Sequence, residues 1–155
     1  MIMHEEKIAL VRQQIAAVRA AAEKREIRDI YVAACGGSLA TLYPVKYILE
    51  RETDAVTVSA VNAAEFYNDP PCRLGEHALV ILNSQSGTTA ETVAAARLAR
   101  ERGALTAAFT TAPGSVMEQT VDCPIYYYDD PVNPYPLRLS IFPEVYQLTY
   151  ALLDC

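Results

Sequence analysis

The segment with the clearest chemical character is residues 84–89, SQSGTT, which offers many hydrogen-bond donors and no charge. Its donor side chains are those of Ser84, Gln85, Ser86 and Thr89. Gly87 allows the positive φ that turns successive backbone amides toward one point. An alanine-rich helical pattern follows, and helix N-termini bind anions because their first amides are unpaired. Hydrogen bonds to a charged group contribute about 1.5–3 kcal/mol each, so the segment predicts a phosphate site that needs no Lys or Arg.

The same residues have a simpler interpretation, in which the hydroxyls only cap a helix and fill a turn. Residues 88–91 fit a capping box, with Thr88 as the N-cap and Glu91 at position N3. A cap needs one hydroxyl, whereas this loop has four. We therefore favour the anion site over a capping role alone.

Other motifs of phosphate and acyl chemistry do not fit. The chain has no GxxxxGK[ST] sequence, and CGGSLA at residues 35–40 lacks the GxGxxG spacing of a dinucleotide site. Ser86 has no glycine two positions before or after it, which excludes a nucleophile elbow. His4 lies in the N-terminal arm and His77 precedes a predicted strand, so we predict no metal site and no complete catalytic acid–base set.

Five apolar runs alternate with helical patterns and must position the 84–89 loop. The predicted strands are residues 30–35, 55–61, 78–82, 105–109 and 123–127. The predicted helices are residues 5–25, 38–50, 89–102 and 113–119, a short helix or loop through Glu65 and Phe66, and a last helix with Leu137, Ile141, Val145, Leu148 and Leu152 on one face. Pro44 either kinks the second helix or marks its start, and Gly103 ends the helix after the loop. A proline-marked loop spans residues 129–136.

This alternation predicts an α/β fold in which helices cover both faces of a parallel sheet. Ligands of such sheets bind beyond the carboxyl ends of the strands. The 84–89 loop follows the third predicted strand, and a second small-residue turn, CGGS at residues 35–38, follows the first. Glu65 comes after the second strand on the same side, where it either approaches a ligand or stays solvated as a helix-capping carboxylate.

Composition narrows the class of protein. The chain has 155 residues, 52% of them hydrophobic, and a formal net charge of −6, which argues against nucleic acid as a partner. It has no apolar run of the roughly 20 residues needed to cross a membrane, and its charged N-terminus is unlike a signal peptide. Its four cysteines follow no CxxC spacing, so we expect a reduced, cytoplasmic protein with no membrane partner.

Two long segments resemble the sugar isomerase (SIS) domain. They are YVAACGGSLATLYPVKYILE at residues 31–50 and LVILNSQSGTTAETVAAARLARERGA at residues 79–104, and the likeness runs from about Ile30 to the last helix. CGGS, YPVKY (residues 43–47) and AAEFYNDPP (residues 63–71) look like the fructosamine-6-phosphate deglycase branch of that family. The isomerase half of glucosamine-6-phosphate synthase is a more distant likeness.

The resemblance implies a three-layer α-β-α sandwich, flavodoxin-like, with a five-stranded parallel sheet. It implies that a sugar phosphate is held by Ser38, Ser84, Gln85, Ser86 and Thr89. Gly37, Gly87 and Glu65 are further candidates for positions near the substrate. No metal or organic cofactor is implied, and a homodimer or higher homo-oligomer is expected.

The resemblance also implies an organisation and a function. Residues 1–28 are expected to form an N-terminal helix and residues 29–155 one SIS domain. The second SIS domain of such deglycases, with the catalytic Glu and His, is expected to be absent from this chain. The chain would thus be the N-terminal half of an enzyme that releases glucose 6-phosphate and an amino acid from fructosamine 6-phosphate. Alternatives are a non-catalytic phosphosugar sensor and an aldose–ketose isomerase acting on a related sugar phosphate. The expected ligand is a sugar phosphate of the fructosamine 6-phosphate, glucose 6-phosphate or fructose 6-phosphate type.

Overall fold

The computed structural model describes residues 2–127 and 141–155, with side chains from residue 5 onward. Its strands are β1 (Asp29–Ala34), β2 (Thr57–Asn62), β3 (Ala78–Asn83), β4 (Leu105–Thr110) and β5 (Cys123–Tyr126). They form one parallel sheet in the order β2-β1-β3-β4-β5. This is the flavodoxin-like order, with the chain reversing direction across the sheet after β2, and the predicted fold class is confirmed.

Helices cover both faces of the sheet because its central strands are apolar on both sides. The helices are α1 (Ile2–Glu23), α2 (Gly36–Ala40), α3 (Tyr43–Glu52), α4 (Ala63–Asn68), α5 (Ala90–Glu101), α6 (Val116–Thr120) and α7 (Phe142–Leu153). Every residue of β1, β3 and β4 is buried, as expected for strands covered on both faces. None of the described helices is long and apolar enough to span a bilayer.

The alternation of side chains along each strand divides the core in two. On one face, Ile30 and Val32 of β1 join a cluster to which α1, α3 and α7 contribute. On the other face, Tyr31 and Ala33 join a cluster formed with α4, α5 and α6. Val18 of α1 is fully buried in the first cluster, so the N-terminal helix shares the core of the sheet.

The structure settles where the helix near Pro44 begins. Residues 38–50, predicted as one segment, form parts of two helices, and Pro44 stands in the first turn of α3. Proline is tolerated there because the first-turn amides have no partner within the helix. The predicted 129–136 loop and Leu137 lie outside the described residues, whereas Ile141, Val145 and Leu148 of the last helix are buried as predicted.

The register of the sheet brings the predicted site loops to one edge. Ala34 at the end of β1 pairs with Asn62 of β2 and with Asn83 of β3. Asn83 in turn pairs with Phe109 of β4. The chain segments that follow β1, β3 and β4 therefore leave the sheet side by side, with the 84–89 loop in the middle.

Candidate anion-binding site

The 84–89 loop leads directly from a buried strand into a helix. It starts after Asn83, and its last residue, Thr89, is the N-cap of α5. The Ser84 N–H donates to the carbonyl of Phe109 at 3.0 Å, which ties the loop to β4. Gly87 has φ of +70°, the positive φ predicted for the turn. The loop therefore presents backbone amides at the N-terminus of a twelve-residue helix.

The four hydroxyls of the loop differ in exposure: Ser84 is buried, Thr89 is partly buried, and Ser86 and Thr88 are exposed. Ser84 is only 1% exposed, and its hydroxyl shares a hydrogen bond of 2.9 Å with that of Thr89. Ser84 Oγ also lies 3.4 Å from the Thr89 amide nitrogen, whose N–H it accepts. Ser86 is exposed, and its Oγ accepts hydrogen bonds from both the amide and the hydroxyl of Thr88. Ser84 thus shapes the loop, while Ser86 presents a hydroxyl at its surface.

The predicted capping box is wrong in its details. The N-cap of α5 is Thr89, one residue later than predicted, and its side chain makes no capping hydrogen bond. The Thr88 hydroxyl is instead bonded to Ser86 Oγ at 2.9 Å. Glu91 lies in the first turn of α5 and is exposed. The hydroxyls of this loop bond mainly to one another, which favours a shaped loop over a simple helix cap.

The turn after β1 is joined to the 84–89 loop through Asn83. Gly37 and Ser38 lie in α2, and both are partly buried. The Asn83 side-chain amide donates to Thr41 Oγ1 at 2.9 Å and lies 3.4 Å from the Ser38 carbonyl oxygen. Thr41 Oγ1 donates to the same Ser38 carbonyl at 2.7 Å. The structure therefore places the backbone of Ser38 beside the end of β3.

Glu65 lies farther along the same edge of the sheet. It is exposed in the first turn of α4, and the N-cap of that helix is Asn62, whose side chain accepts from the Ala64 amide. Among the described residues, no hydrogen bond or ion pair joins the Glu65 carboxylate to the 84–89 loop. Glu65 is thus an exposed carboxylate in this structure, and its approach to a ligand stays a prediction.

A third segment, residues 110–117 from the end of β4 to the first turn of α6, supports the loop from the side of β4. Thr111 donates its amide and its hydroxyl to the Gln85 carbonyl, at 3.1 and 2.7 Å. The Met117 amide donates to the Gly87 carbonyl at 3.0 Å. Ser115 comes so close to Gly87 that a Cβ built on the glycine would lie 2.2 Å from Ser115 Oγ. Gly87 is required here both by its φ and by its neighbour.

A metal does not fit the chemistry of this edge. No group of three or more His, Cys, Asp or Glu side chains comes together in the described part of the chain. The side chains of the 84–89 loop are hydroxyls and an amide, which suit an anion held by donors.

The sequence model of the SIS domain family matches residues 25–153. The chain belongs to the SIS domain family. Over 111 residues it is 42% identical to fructosamine deglycase FrlB of Bacillus subtilis (strain 168), a match that covers 72% of this chain. Over 107 residues it is 37% identical to fructoselysine 6-phosphate deglycase of Escherichia coli (strain K12), covering 69% of this chain. The predicted resemblance is confirmed.

The fold of this SIS domain is shared with a crystal structure from Bacillus subtilis described as a phosphosugar isomerase. The two agree with a TM-score of 0.83 at 34% identity, over 97% of this chain and 45% of that one. The matched segments span 34% and 31% of the lengths of the two deglycases. The chain thus corresponds to about a third to a half of the relatives it matches.

Sequence reasoning missed several residues that build the site of this SIS domain. Asn83 follows the strand predicted over residues 78–82 and has no predicted role, yet it is 3% exposed and joins the 84–89 loop to the turn after β1. Thr111 and Ser115 were assigned to no site, because their partners lie in the loop after another strand. The available signal was a polar residue that ends a buried strand, as Asn83 and Thr110 both do.

Proposed function

We propose that the 84–89 loop binds the phosphate of a sugar phosphate, and that the chain is the N-terminal half of a fructosamine-6-phosphate deglycase. One observation carries the proposal: an uncharged loop of hydroxyls and amides, turned at Gly87, stands at the carboxyl edge of the sheet where α5 begins. Such an arrangement binds a dianion through backbone dipoles and neutral donors.

The names of two relatives support the proposed substrate class. One is a fructosamine deglycase and another a fructoselysine 6-phosphate deglycase, whose name specifies a phosphorylated sugar. Both match this chain at 37% identity or more. We therefore expect a sugar of the fructosamine 6-phosphate, glucose 6-phosphate or fructose 6-phosphate type.

Each site residue has a proposed part in binding. Ser86 offers an exposed hydroxyl, and Gln85 and Thr89 stand on either side of it at intermediate exposure. Ser84 holds the Thr89 end of the loop from beneath. Ser38, with Gly37 beside it, approaches the sugar from the turn after β1. Binding of the phosphate, which is not the reacting group, contributes orientation and remote binding energy rather than proton transfer.

The remaining proposals concern the whole protein. We propose that deglycation to glucose 6-phosphate and a free amino acid uses catalytic residues from a second SIS domain, beside the N-terminal helix (residues 1–28) and SIS domain (residues 29–155) of this chain. We propose further that the enzyme works in the cytoplasm as a homo-oligomer, without a metal or organic cofactor, and binds neither nucleic acid nor membrane.

Isothermal titration of glucose 6-phosphate and fructose 6-phosphate into the chain tests the phosphate site. Ser86→Ala should weaken binding with little loss of stability, because its hydroxyl is exposed. Ser84→Ala should reduce both ligand affinity and the stability of the fold, because the Ser84 hydroxyl is buried and bonded to Thr89. Thr57→Ala is the control, since Thr57 is exposed at the amino end of β2. Absence of binding to the unaltered chain, or unaltered binding by both serine variants, would contradict the proposal.

Product analysis tests the reaction in the protein made from the complete open reading frame. Incubation with fructosamine 6-phosphates should release a free amino acid and glucose 6-phosphate. Interconversion of glucose and fructose 6-phosphates without amino acid release would instead establish an isomerase, and binding without turnover a sensor.

A further inference from the structure

The strongest unexplained feature is the set of hydrogen bonds by which the 110–117 segment holds the backbone carbonyls of the 84–89 loop. Three donors lie near the Gln85 carbonyl oxygen: the Thr111 hydroxyl at 2.7 Å, the Thr111 amide at 3.1 Å and the Thr110 hydroxyl at 3.4 Å. A carbonyl oxygen has two lone pairs, so its capacity is filled from this one side. The Gly87 carbonyl is held by the Met117 amide in the same way.

Because the peptide group is planar, hydrogen bonds that fix these carbonyls also fix the direction of the neighbouring N–H groups. In a trans peptide the C=O of one residue and the N–H of the next point in opposite directions within one plane. Because the Gln85 carbonyl is bonded toward the 110–117 segment, the Ser86 N–H points away from it. The same reasoning turns the Thr88 N–H away from the Met117 amide. The Gln85 and Gly87 carbonyls face the 110–117 segment, and the Ser86 and Thr88 amides face the opposite side of the loop.

The amides turned outward include one without an acceptor. Within the part of the chain that the structure describes, no acceptor is found for the Ser86 N–H, whereas the Thr88 N–H reaches Ser86 Oγ at 3.2 Å. The 110–117 segment is itself braced, because both carboxylate oxygens of Glu118 accept bonds, one from the Gly114 amide and one from the Tyr126 hydroxyl. A braced segment can therefore orient the loop whose Gln85 and Gly87 carbonyls it holds.

We infer that Thr111 is a positioning residue for sugar-phosphate binding: by holding the Gln85 carbonyl it aims the amides of the 84–89 loop at the phosphate. The identity of the ligand in this inference rests on the proposed function, whereas the orientation of the loop does not. The Thr111 side chain acts through the Gln85 carbonyl and does not contact the phosphate itself. The hydroxyl bond is the shorter of the two Thr111 bonds, so its loss loosens the loop even though the amide bond remains.

The test compares Thr111→Val with Thr111→Ser and with Thr106→Val. Valine keeps the shape of threonine and removes only the hydroxyl, and serine restores that hydroxyl. Thr106 is a matched control near the amino end of β4, far from the 84–89 loop, because its hydroxyl is bonded to Asp122. Thr106→Val should lower stability and leave binding unchanged.

Titration with glucose 6-phosphate and with inorganic phosphate gives the first readout. Loss of one hydrogen bond predicts binding about three- to tenfold weaker in Thr111→Val, with recovery in Thr111→Ser. Failure of the unaltered chain to bind either ligand would overturn the proposed function. Binding by Thr111→Val equal to that of the unaltered chain would overturn the positioning role alone.

Amide hydrogen exchange without ligand gives the second readout and separates positioning from direct contact. In Thr111→Val the amides of Gly87, Thr88 and Thr89 should exchange about three- to tenfold faster, while those of central β3 keep their rates. The same loop amides should be unaffected in Thr106→Val. Loop exchange that is unchanged in Thr111→Val would overturn the inference whatever the titrations show.

Discussion

Replacement of Gly87 by alanine provides the sharpest test of how the 84–89 loop is built. The residue has φ of +70°, a conformation that costs an L-amino acid about 1–2 kcal/mol. A Cβ at this position would also lie 2.2 Å from Ser115 Oγ and 2.4 Å from Ser115 Cβ. Overpacking of this kind costs about 1–3 kcal/mol. We expect Gly87→Ala to lower the free energy of unfolding by about 2–5 kcal/mol, the sum of the two effects.

Gly103→Ala is the matched control for the backbone effect. Gly103 has φ of +86°, and the nearest heavy atom to its added Cβ is the Glu76 nitrogen at 3.9 Å. Its replacement should therefore cost only the backbone share of about 1–2 kcal/mol and leave sugar-phosphate binding intact. Gly87→Ala should weaken binding at least about tenfold, since a displaced loop misdirects its amides. Urea denaturation and calorimetric titration of both variants measure the two effects.

A second substitution, at Ser115, measures how much of the Gly87→Ala destabilisation comes from the steric clash. Ser115→Gly removes both atoms that the new methyl group would meet first, and glycine at an N-cap costs only a few tenths of a kcal/mol relative to serine. The double variant should recover about 1–3 kcal/mol relative to the sum of the single changes. Equal losses in Gly87→Ala and Gly103→Ala, with no recovery in the double variant, would refute the close approach of the two loops.

Two further predictions concern buried polar groups. Asn83→Ala leaves the hydroxyls of Thr41 and Tyr127 without their Asn83 partner, so we expect urea denaturation to show a loss of about 1–3 kcal/mol, together with weaker sugar-phosphate binding. Unchanged stability would show that Asn83 does not join the two loops. Burial raises the pKa of Glu144 above its ordinary value, and its Oε2 has no hydrogen-bond partner among the described residues. Because its folded-state pKa is raised, the folded protein favours the protonated Glu144 carboxyl. The contribution of that protonated carboxyl to the free energy of unfolding is present at low pH and is lost as pH rises through the folded-state pKa. Glu144→Gln should therefore stabilise the protein at neutral pH and lose that advantage in acid, and an advantage independent of pH would contradict the assignment.

Local patterns were sufficient for most of the fold. The unbroken apolar run at residues 30–35 predicted a strand covered on both faces, and every residue of β1 is buried. Gly103 predicted the end of the helix after the loop, and it has the positive φ of a C′ residue there. The start of that helix was placed one residue early, because both Thr88 and Thr89 are suitable N-caps and only their partners decide between them.

What the sequence by itself determined is the type of each element and the chemistry of the loop. The alternation of apolar runs and helical patterns set the parallel α/β fold, and SQSGTT before a helix indicated an anion site. These inferences depend on residues that are neighbours in the chain, whose spacing is visible directly.

Only the tertiary structure decided which groups of the loop are available and which are used to hold it in shape. Ser84 and Ser86 look equivalent in sequence, yet one is buried beneath Thr89 and the other is exposed. The donor that holds the Gln85 carbonyl, Thr111, lies 26 residues away along the chain. It comes into contact because β3 and β4 are neighbours in the sheet, and that strand order is a property of the whole packed core.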